Sequence, residues 1–189
     1  MSQREMKRIL FSQAMAPLIM KYYRHDFPNV KDYLHHREPY ALIESIESVL
    51  DDRIQTSIQI SGDEFYLQGH FPGAPIVPGA MMQEMTTQTA GILVAARFNP
   101  MERYNTEDPF FNEYALGVLI RVKAARYRSF ARPGDRLLID VVLVDQIAEV
   151  FEFKGEIRVG DRLIMSNHFQ LANIPSQTLQ GDDVGQGRN

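Results

Sequence analysis

The stretch GHFPGAPIVPGAMMQEMTTQ, residues 69–88, carries two ionisable groups, His70 and Glu84, in a run rich in proline, glycine and methionine. No lysine or arginine occurs between Arg53 and Arg97. A carboxylate that is buried without a partner is costly, or its pKa rises until it is neutral. Glu84 is therefore expected to have a partner or a chemical task.

The pattern after Pro78 predicts a helix with proline near its first turn. Residues that favour burial recur at spacings of three and four along one face: Met81, Met82, Met85, Thr89, Ile92, Leu93 and Ala96. The opposite face carries Gln83, Thr86, Thr87 and Ala90, none of which is charged. A helix with so little polar covering is predicted to be buried on most sides.

Strand-like runs flank this helix on both sides. Two precede the motif, at residues 41–50 and 53–60, with a turn at Asp51 and Asp52. Four follow a loop at about 98–111: residues 117–130, 135–146, 150–159 and 162–172. Because strands and helices do not alternate, the sequence predicts an α+β fold, with an antiparallel sheet wrapped around one long central helix.

The chain is predicted to have three parts. Residues 1–35 are interpreted as an N-terminal helical extension, interrupted by Pro17 and Pro28. Residues 36–173 form the body. Residues 174–189 are polar and glycine-rich, and a disordered tail is predicted there.

Composition narrows the function classes. The chain has 189 residues, 44% hydrophobic and 23% charged, as in an ordinary globular protein. A net charge of −4 argues against nucleic acid as the main partner, because phosphate binding favours a basic excess. The absence of cysteine excludes disulfides and thiolate chemistry, and fits a reducing compartment such as the cytoplasm.

Targeting signals are not expected in this sequence. It has no run of eighteen apolar residues, so no membrane span is predicted. The triplet AMA at residues 14–16 resembles a signal-peptidase site, but five residues separate it from Arg8. That interval is too short for the apolar core of a signal peptide, so a cytoplasmic location is predicted.

The motif combines three chemical functions. The imidazole of His70 can remove a proton next to a carbonyl group, and the carboxyl of Glu84 can return a proton to a leaving hydroxyl. The helix start at Gly79 offers free amides for a carbonyl oxygen, and Gln88 lies one turn beyond Glu84. The alternatives are a structural histidine and a carboxylate favoured by the helix dipole.

The residues of this motif resemble a known signature. Gly-His-Phe-Pro, then Pro-x-x-Pro-Gly, then glutamate with glutamine four residues later, is similar to the FabZ type of β-hydroxyacyl-acyl-carrier-protein dehydratases. Residues 34–46, LHHREPYALIESI, resemble the opening strand of that family, with His35 in place of proline and Tyr40 in place of phenylalanine. The resemblance covers residues 34–173.

The resemblance implies a hotdog fold and a homodimer with shared active sites, with a trimer of dimers as the larger assembly. It implies that His70 takes the α-proton, that Glu84 of the partner subunit handles the β-hydroxyl, and that the Gly79 amide binds the thioester carbonyl. Phe71 and Gln88 are the further predicted substrate-binding residues. The substrate would be carried on the phosphopantetheine of acyl carrier protein, and neither a cofactor nor a metal is expected.

Two basic features lie outside the motif. Five cations fall within twelve residues that contain no acid: Arg121, Lys123, Arg126, Arg128 and Arg132. They are interpreted either as a docking surface for the acidic carrier protein or as a solvated strand face. The adjacent histidines His35 and His36 raise the question of a metal, but neighbours on a strand point apart and no third ligand is evident.

Rival functions stay open at this point. Other hotdog activities, an enoyl isomerase or an acyl thioesterase, are the enzymatic alternatives, and a non-catalytic acyl-binding subunit is the alternative from another class. The related dehydratase–isomerases carry aspartate at the position of Glu84, which favours plain dehydration. Arg121 and Lys123 stand where the family has Gly-x-Asp, which leaves the acyl chain length and the pathway open.

Overall fold

The computed structural model describes residues 20–108 and 111–180. One six-stranded sheet has the order β1-β2-β4-β5-β6-β3, and all neighbouring strands are antiparallel. The strands are β1 (Ser45–Val49), β2 (Arg53–Gln59), β3 (Tyr114–Tyr127), β4 (Arg136–Ile147), β5 (Val150–Val159) and β6 (Arg162–Pro175). The predicted antiparallel α+β architecture is confirmed.

The helix α1 (Gly79–Arg97) lies against β2 to β6 and starts directly after Pro78. Residues 82 and 85–96 are all buried, so the helix is enclosed on most sides as predicted. Its polar positions are paired inside the core: Thr89 Oγ1 lies 2.7 Å from Thr56 Oγ1 on β2, and both residues are fully buried. Because these buried hydroxyl groups are hydrogen-bonded to each other, the uncharged polar face of the helix can be buried without a large energetic penalty.

Glycine permits the close approach of α1 and β3. Gly117 on β3 has a φ of +67°, and a Cβ at this position would lie 3.1 Å from the Cα of Gly91 on the helix. A larger residue at either position would separate the two elements or distort them.

The N-terminal helical extension is not seen where the structure describes it. Residues 20–35 contain one short 3-10 turn, Val30–Asp32, and no α-helix; the rest of the predicted extension lies outside the described residues. The Tyr23 N–H donates to Asn99 O (2.8 Å), and the His25 N–H donates to Ala96 O (3.0 Å). These long-range bonds replace the local bonds of a helix.

The predicted disordered tail is wrong for residues 174–180. Strand β6 continues to Pro175, where Ile174 and Pro175 pair with β3, and a 3-10 helix, Ser176–Gln180, follows. The Ser176 N–H donates to Glu113 O (2.9 Å). The polar composition of this segment gave no indication that pairing with β3 would order it. Residues 181–189 lie outside the described part of the chain.

The two edges of the sheet differ in length. β1 has five residues, whereas β3 has fourteen and is exposed along most of its length. Several apolar side chains of β3 face solvent in the single chain: Leu119, Ile120, Val122 and Tyr127. Within residues 20–108 and 111–180, no helix has the length and hydropathy that a membrane crossing requires.

Candidate active site

The loop before α1 is closed by backbone hydrogen bonds. The Ile76 N–H donates to His70 O (3.0 Å), and the Val77 N–H donates to Ala131 O (2.9 Å), which ties the loop to the connection between β3 and β4. Gly73, with a φ of +76°, makes a turn that other residues rarely adopt. His70 is thus presented from a fixed segment.

The ring of His70 has a defined tautomer. Its Nδ1 lies 3.0 Å from Ile76 O. Because a carbonyl oxygen can only accept, Nδ1 carries the hydrogen, and Nε2 keeps a lone pair that can take a proton. Phe71 stacks on the ring at 4.5 Å and is itself 56% exposed. The imidazole is therefore arranged as a base.

His70 and Gly79 line one largely apolar cavity of about 320 Å³. Gly79 is the first residue of α1, so its amide N–H has no acceptor within the helix and lies at the positive end of the helix dipole. A Cβ on Gly79 would lie 3.0 Å from the ring of Tyr127. The cavity therefore brings the His70 imidazole together with the N-terminus of α1.

Glu84 lies on α1 with its side chain 17% exposed. Burial raises the pKa of its carboxyl, and a hydrogen bond from Gln88 opposes that rise. Gln88 Nε2 donates to Glu84 Oε1 (3.0 Å), while Gln88 Oε1 accepts from the Leu42 N–H (2.9 Å). The predicted Glu84–Gln88 contact is present, and the raised pKa favours a carboxyl that keeps its proton.

One chain holds His70 and Glu84 in separate places. Glu84 is absent from the lining of the His70 cavity, and within the described residues no hydrogen bond or ion pair joins the two side chains. Gln88 likewise lies outside that cavity, whereas Gly79 and Met82 are in it. Each chain thus contains two separate groups of predicted site residues, one around His70 and one around Glu84, here termed half-sites.

The adjacent histidines point to different neighbours. His35 Nδ1 lies 3.1 Å from Thr106 O, and its Nε2 lies 3.1 Å from Asn112 Nδ2. His36 Nε2 lies 3.7 Å from Glu84 Oε1. In the described part of the chain, no group of three or more potential metal-ligating side chains is found. His36 was missed as a neighbour of Glu84, and its only signal in the sequence is the histidine pair itself.

The five basic residues of the predicted docking surface are all exposed, and their surroundings differ. Lys123 is ion-paired with Glu152, and this pairing is the largest cause that lowers the pKa of Glu152 to about 2. Arg128 lines the His70 cavity, and the Arg132 guanidinium lies 5.4 Å from the ring centre of Phe130, a further residue of that lining. Of the five basic residues, Arg128 and Arg132 are thus the ones placed at the His70 cavity.

Comparison with known proteins places the chain in a family. Residues 34–168 match the FabA-like domain. A 3-hydroxyacyl-[acyl-carrier-protein] dehydratase FabZ of Legionella pneumophila is 32% identical over 145 residues, which are 75% of this chain and 89% of that protein. The FabZ of Paracidovorax citrulli is 33% identical over 137 residues, covering 72% of this chain and 88% of the relative.

Solved structures show the same fold at lower identity. The dehydratase heterocomplex ApeI:P from Xenorhabdus doucetiae aligns with a TM-score of 0.67 and 20% identity, over 83% of this chain and all of that one. A hypothetical thioesterase from Streptococcus pneumoniae aligns with a TM-score of 0.52 and 14% identity, over 69% and 85%. The predicted hotdog fold is confirmed. With its motif, its fold and this extent of matching, the chain belongs to the FabA-like family.

Proposed function

We propose that this protein is a 3-hydroxyacyl-[acyl-carrier-protein] dehydratase that forms the trans-2-enoyl thioester in fatty acid biosynthesis. The observation that carries the proposal is the cavity in which His70, with a free Nε2, lies beside the first amide of α1. Relatives with about one third identity over nearly their whole length are named as this enzyme. The cavity and the relatives together support a 3-hydroxyacyl thioester as the proposed substrate class.

The first half of the reaction belongs to the His70 cavity. His70 Nε2 takes the α-proton of the substrate, and the Cα–H electrons move toward the thioester carbonyl. The Gly79 amide donates to the carbonyl oxygen as its negative charge grows. The apolar walls strengthen this interaction because little water competes for the oxygen. Phe71, stacked on the imidazole, covers one face of the base.

The second half belongs to Glu84. Its raised pKa keeps a proton available, and the carboxyl gives that proton to the β-hydroxyl. The Cβ–O bond breaks, water leaves and the Cα–Cβ double bond forms. Glu84 ends as a carboxylate and His70 as an imidazolium, so the proton count balances. Gln88 donates to the carboxylate and stabilises it.

A dimer would unite the two half-sites. The long edge strand β3 exposes Leu119, Ile120 and Val122, which is typical of a strand that pairs with a second copy. In such a dimer, His70 of one protomer faces Glu84 of the partner subunit. Assembly of three such dimers is a further prediction of the family resemblance.

The proposed partner is an acidic acyl carrier protein with its phosphopantetheine arm. Arg128, at the rim of the His70 cavity, is the basic residue best placed to meet it. The reaction as written uses only an acid, a base and an amide donor. We therefore propose that it needs no cofactor beyond the arm that carries the substrate.

Product analysis with matched variants tests the proposal. Wild-type protein should convert a 3-hydroxyacyl carrier thioester into the enoyl form, with new ultraviolet absorbance and no free thiol. His70→Ala and Glu84→Gln should each lower kcat by about a hundredfold or more, because each removes one proton-transfer group. Release of free thiol would indicate a thioesterase instead. An inert wild type on short, medium and long chains would support a non-catalytic acyl-binding protein.

A further inference from the structure

His36 is a group near the acid that the proposed reaction does not yet use. Its Nε2 lies 3.7 Å from Glu84 Oε1, and the side chain is 38% exposed. The ring stacks on Tyr40 at 5.9 Å with an angle of 29°. This distance is longer than a direct hydrogen bond, and contacts of this kind often shorten when substrate binds.

The side chains on both sides of His36 are held by the loop that follows α1. His35 is held by Thr106 O and by the Asn112 side chain. Arg37 Nη2 donates to Thr106 O (2.9 Å), and Arg37 Nη1 donates to Leu34 O (2.7 Å). The loop therefore determines where the His36 ring points.

The surroundings of His36 also determine the charge of its ring and which ring nitrogen carries the hydrogen. Burial lowers the pKa of His36, and the nearby His35 and Arg37 lower it further, so the ring is neutral. Its Nδ1 is buried and has no hydrogen-bond partner in the described part of the chain. An unpaired acceptor is tolerated better than an unpaired N–H. The single hydrogen therefore resides on Nε2, which faces Glu84.

Gln88 directs a second donor at the same carboxyl oxygen. Its Oε1 accepts from the Leu42 N–H, and its Nε2 donates to Tyr40 O (2.9 Å), which fixes the orientation of the amide. The remaining hydrogen of Nε2 is donated to Glu84 Oε1. Gln88 donates to Oε1, and His36 Nε2 faces the same oxygen at 3.7 Å, which leaves Oε2 as the oxygen that can carry the acidic proton.

We propose that His36 is a positioning residue that works with Gln88 to keep Glu84 Oε1 as an acceptor, so that Oε2 presents the proton to the substrate hydroxyl. This inference rests on the proposed role of Glu84 as the acid. When the proton leaves Oε2 with the departing water, the two donors at Oε1 stabilise the new carboxylate. The titratable or charged groups that face the pair are Tyr40, His35, Arg37 and, in the proposed dimer, His70 of the partner subunit.

A pair of variants separates the N–H donor from the ring. His36→Phe keeps an aromatic ring against Tyr40 but removes the donor, whereas His36→Gln keeps a donor. A donor stabilises the carboxylate, so the Glu84 titration midpoint should rise by about half a pH unit in His36→Phe and return to within about 0.2 in His36→Gln. The midpoint is measured by carboxyl carbon-13 NMR, with the Glu84 signal assigned from Glu84→Gln.

Kinetics supply the second readout. We expect kcat of His36→Phe to fall about tenfold with KM changed less than about twofold, and His36→Gln to recover most of the loss. His35→Phe is the control for loosening of the loop: it breaks the contacts with Thr106 and Asn112, so it should lower the melting temperature but move the Glu84 titration less than His36→Phe does. If His36→Phe does not fold, His36→Met removes the donor without adding a ring.

The outcomes distinguish this inference from the proposed function. A Glu84 titration and a kcat that are both unchanged in His36→Phe would overturn the role of His36. A wild-type protein without dehydratase activity would overturn the proposed function, while the titration would still measure the His36–Glu84 interaction. Equal changes in His35→Phe and His36→Phe would mean that the effect is general loosening of the loop.

Discussion

At the scale of single residues, the chemistry depends on which nitrogen or oxygen holds a proton. Ile76 O fixes the hydrogen of His70 on Nδ1, and Gln88 occupies one oxygen of Glu84. These are backbone and side-chain contacts within one chain. Each half-site is therefore organised before substrate or a second chain arrives, which lowers the cost of reaching the reactive geometry.

Glu84 should lower the free energy of unfolding at neutral and alkaline pH, because its carboxyl is buried. Burial raises the pKa of the Glu84 carboxyl in the folded chain above its ordinary value of about 4.5. In the pH range between these two pKa values, the carboxyl is protonated more often in the folded state than in the unfolded state. The free energy of unfolding contributed by this group therefore falls as pH rises through that window. Glu84→Gln cannot ionise, so it should be more stable than wild type by about 1 kcal/mol at pH 8 and nearly equal at pH 4.

Denaturant titrations at both pH values measure this difference. The control is Glu113→Gln, the same change at an exposed position. A Glu84→Gln variant that is less stable than wild type at pH 8 would show that the carboxylate is well stabilised in the folded chain, and would argue against Glu84 as a protonated acid.

At the scale of elements, local pattern predicted most of the fold. Residues 53–60 alternate as a strand, and the run from Met81 to Ala96, in which Glu84 is the one ionisable residue, is the buried helix. The errors lie at the two ends, where pairing is not local. Tyr23 bonds to Asn99 and Ile174 pairs with Ala115, and such distant partners leave no periodic signal.

The site was predictable to a similar extent. The motif identified His70, Glu84 and Gly79, because proline, glycine and isolated charges stand out in an apolar run. The contact between His36 and Glu84 was not predictable, because it depends on how the loop at Thr106 holds the residues on either side of His36. Spacing along the sequence carries no information about that support.

The edge strand β3 gives the prediction at this scale. Val122 on β3 and Val144 on β4 are each 44% exposed, so Val→Glu at either position should cost a single chain a similar, small amount of stability. If β3 pairs with a second copy, Val122→Glu should yield monomers and lower activity at least about tenfold, because a charge enters the interface.

Sedimentation and turnover of the two variants, at matched concentration, provide the check. Val144→Glu is the control and should keep the size and activity of wild type. A dimeric, active Val122→Glu protein would exclude this part of β3 from the interface.

At the scale of the whole molecule, the proposed reaction needs two chains for each active site. In the single chain, His70 lines an apolar cavity and Glu84 lies outside it. A homodimer would repeat the arrangement and create two equivalent sites. Loss of dimerisation would therefore remove activity even though each chain retains both residues.

Mixing the two inactive variants tests this central claim most directly. His70→Ala and Glu84→Gln are unfolded together, refolded as an equal mixture and assayed for enoyl formation. A shared site predicts recovery to about a quarter of wild-type activity, because half of the dimers are hybrids and each hybrid has one intact site. No recovery above the separate variants, with hybrids shown to form, would contradict an active site built from His70 of one protomer and Glu84 of its partner.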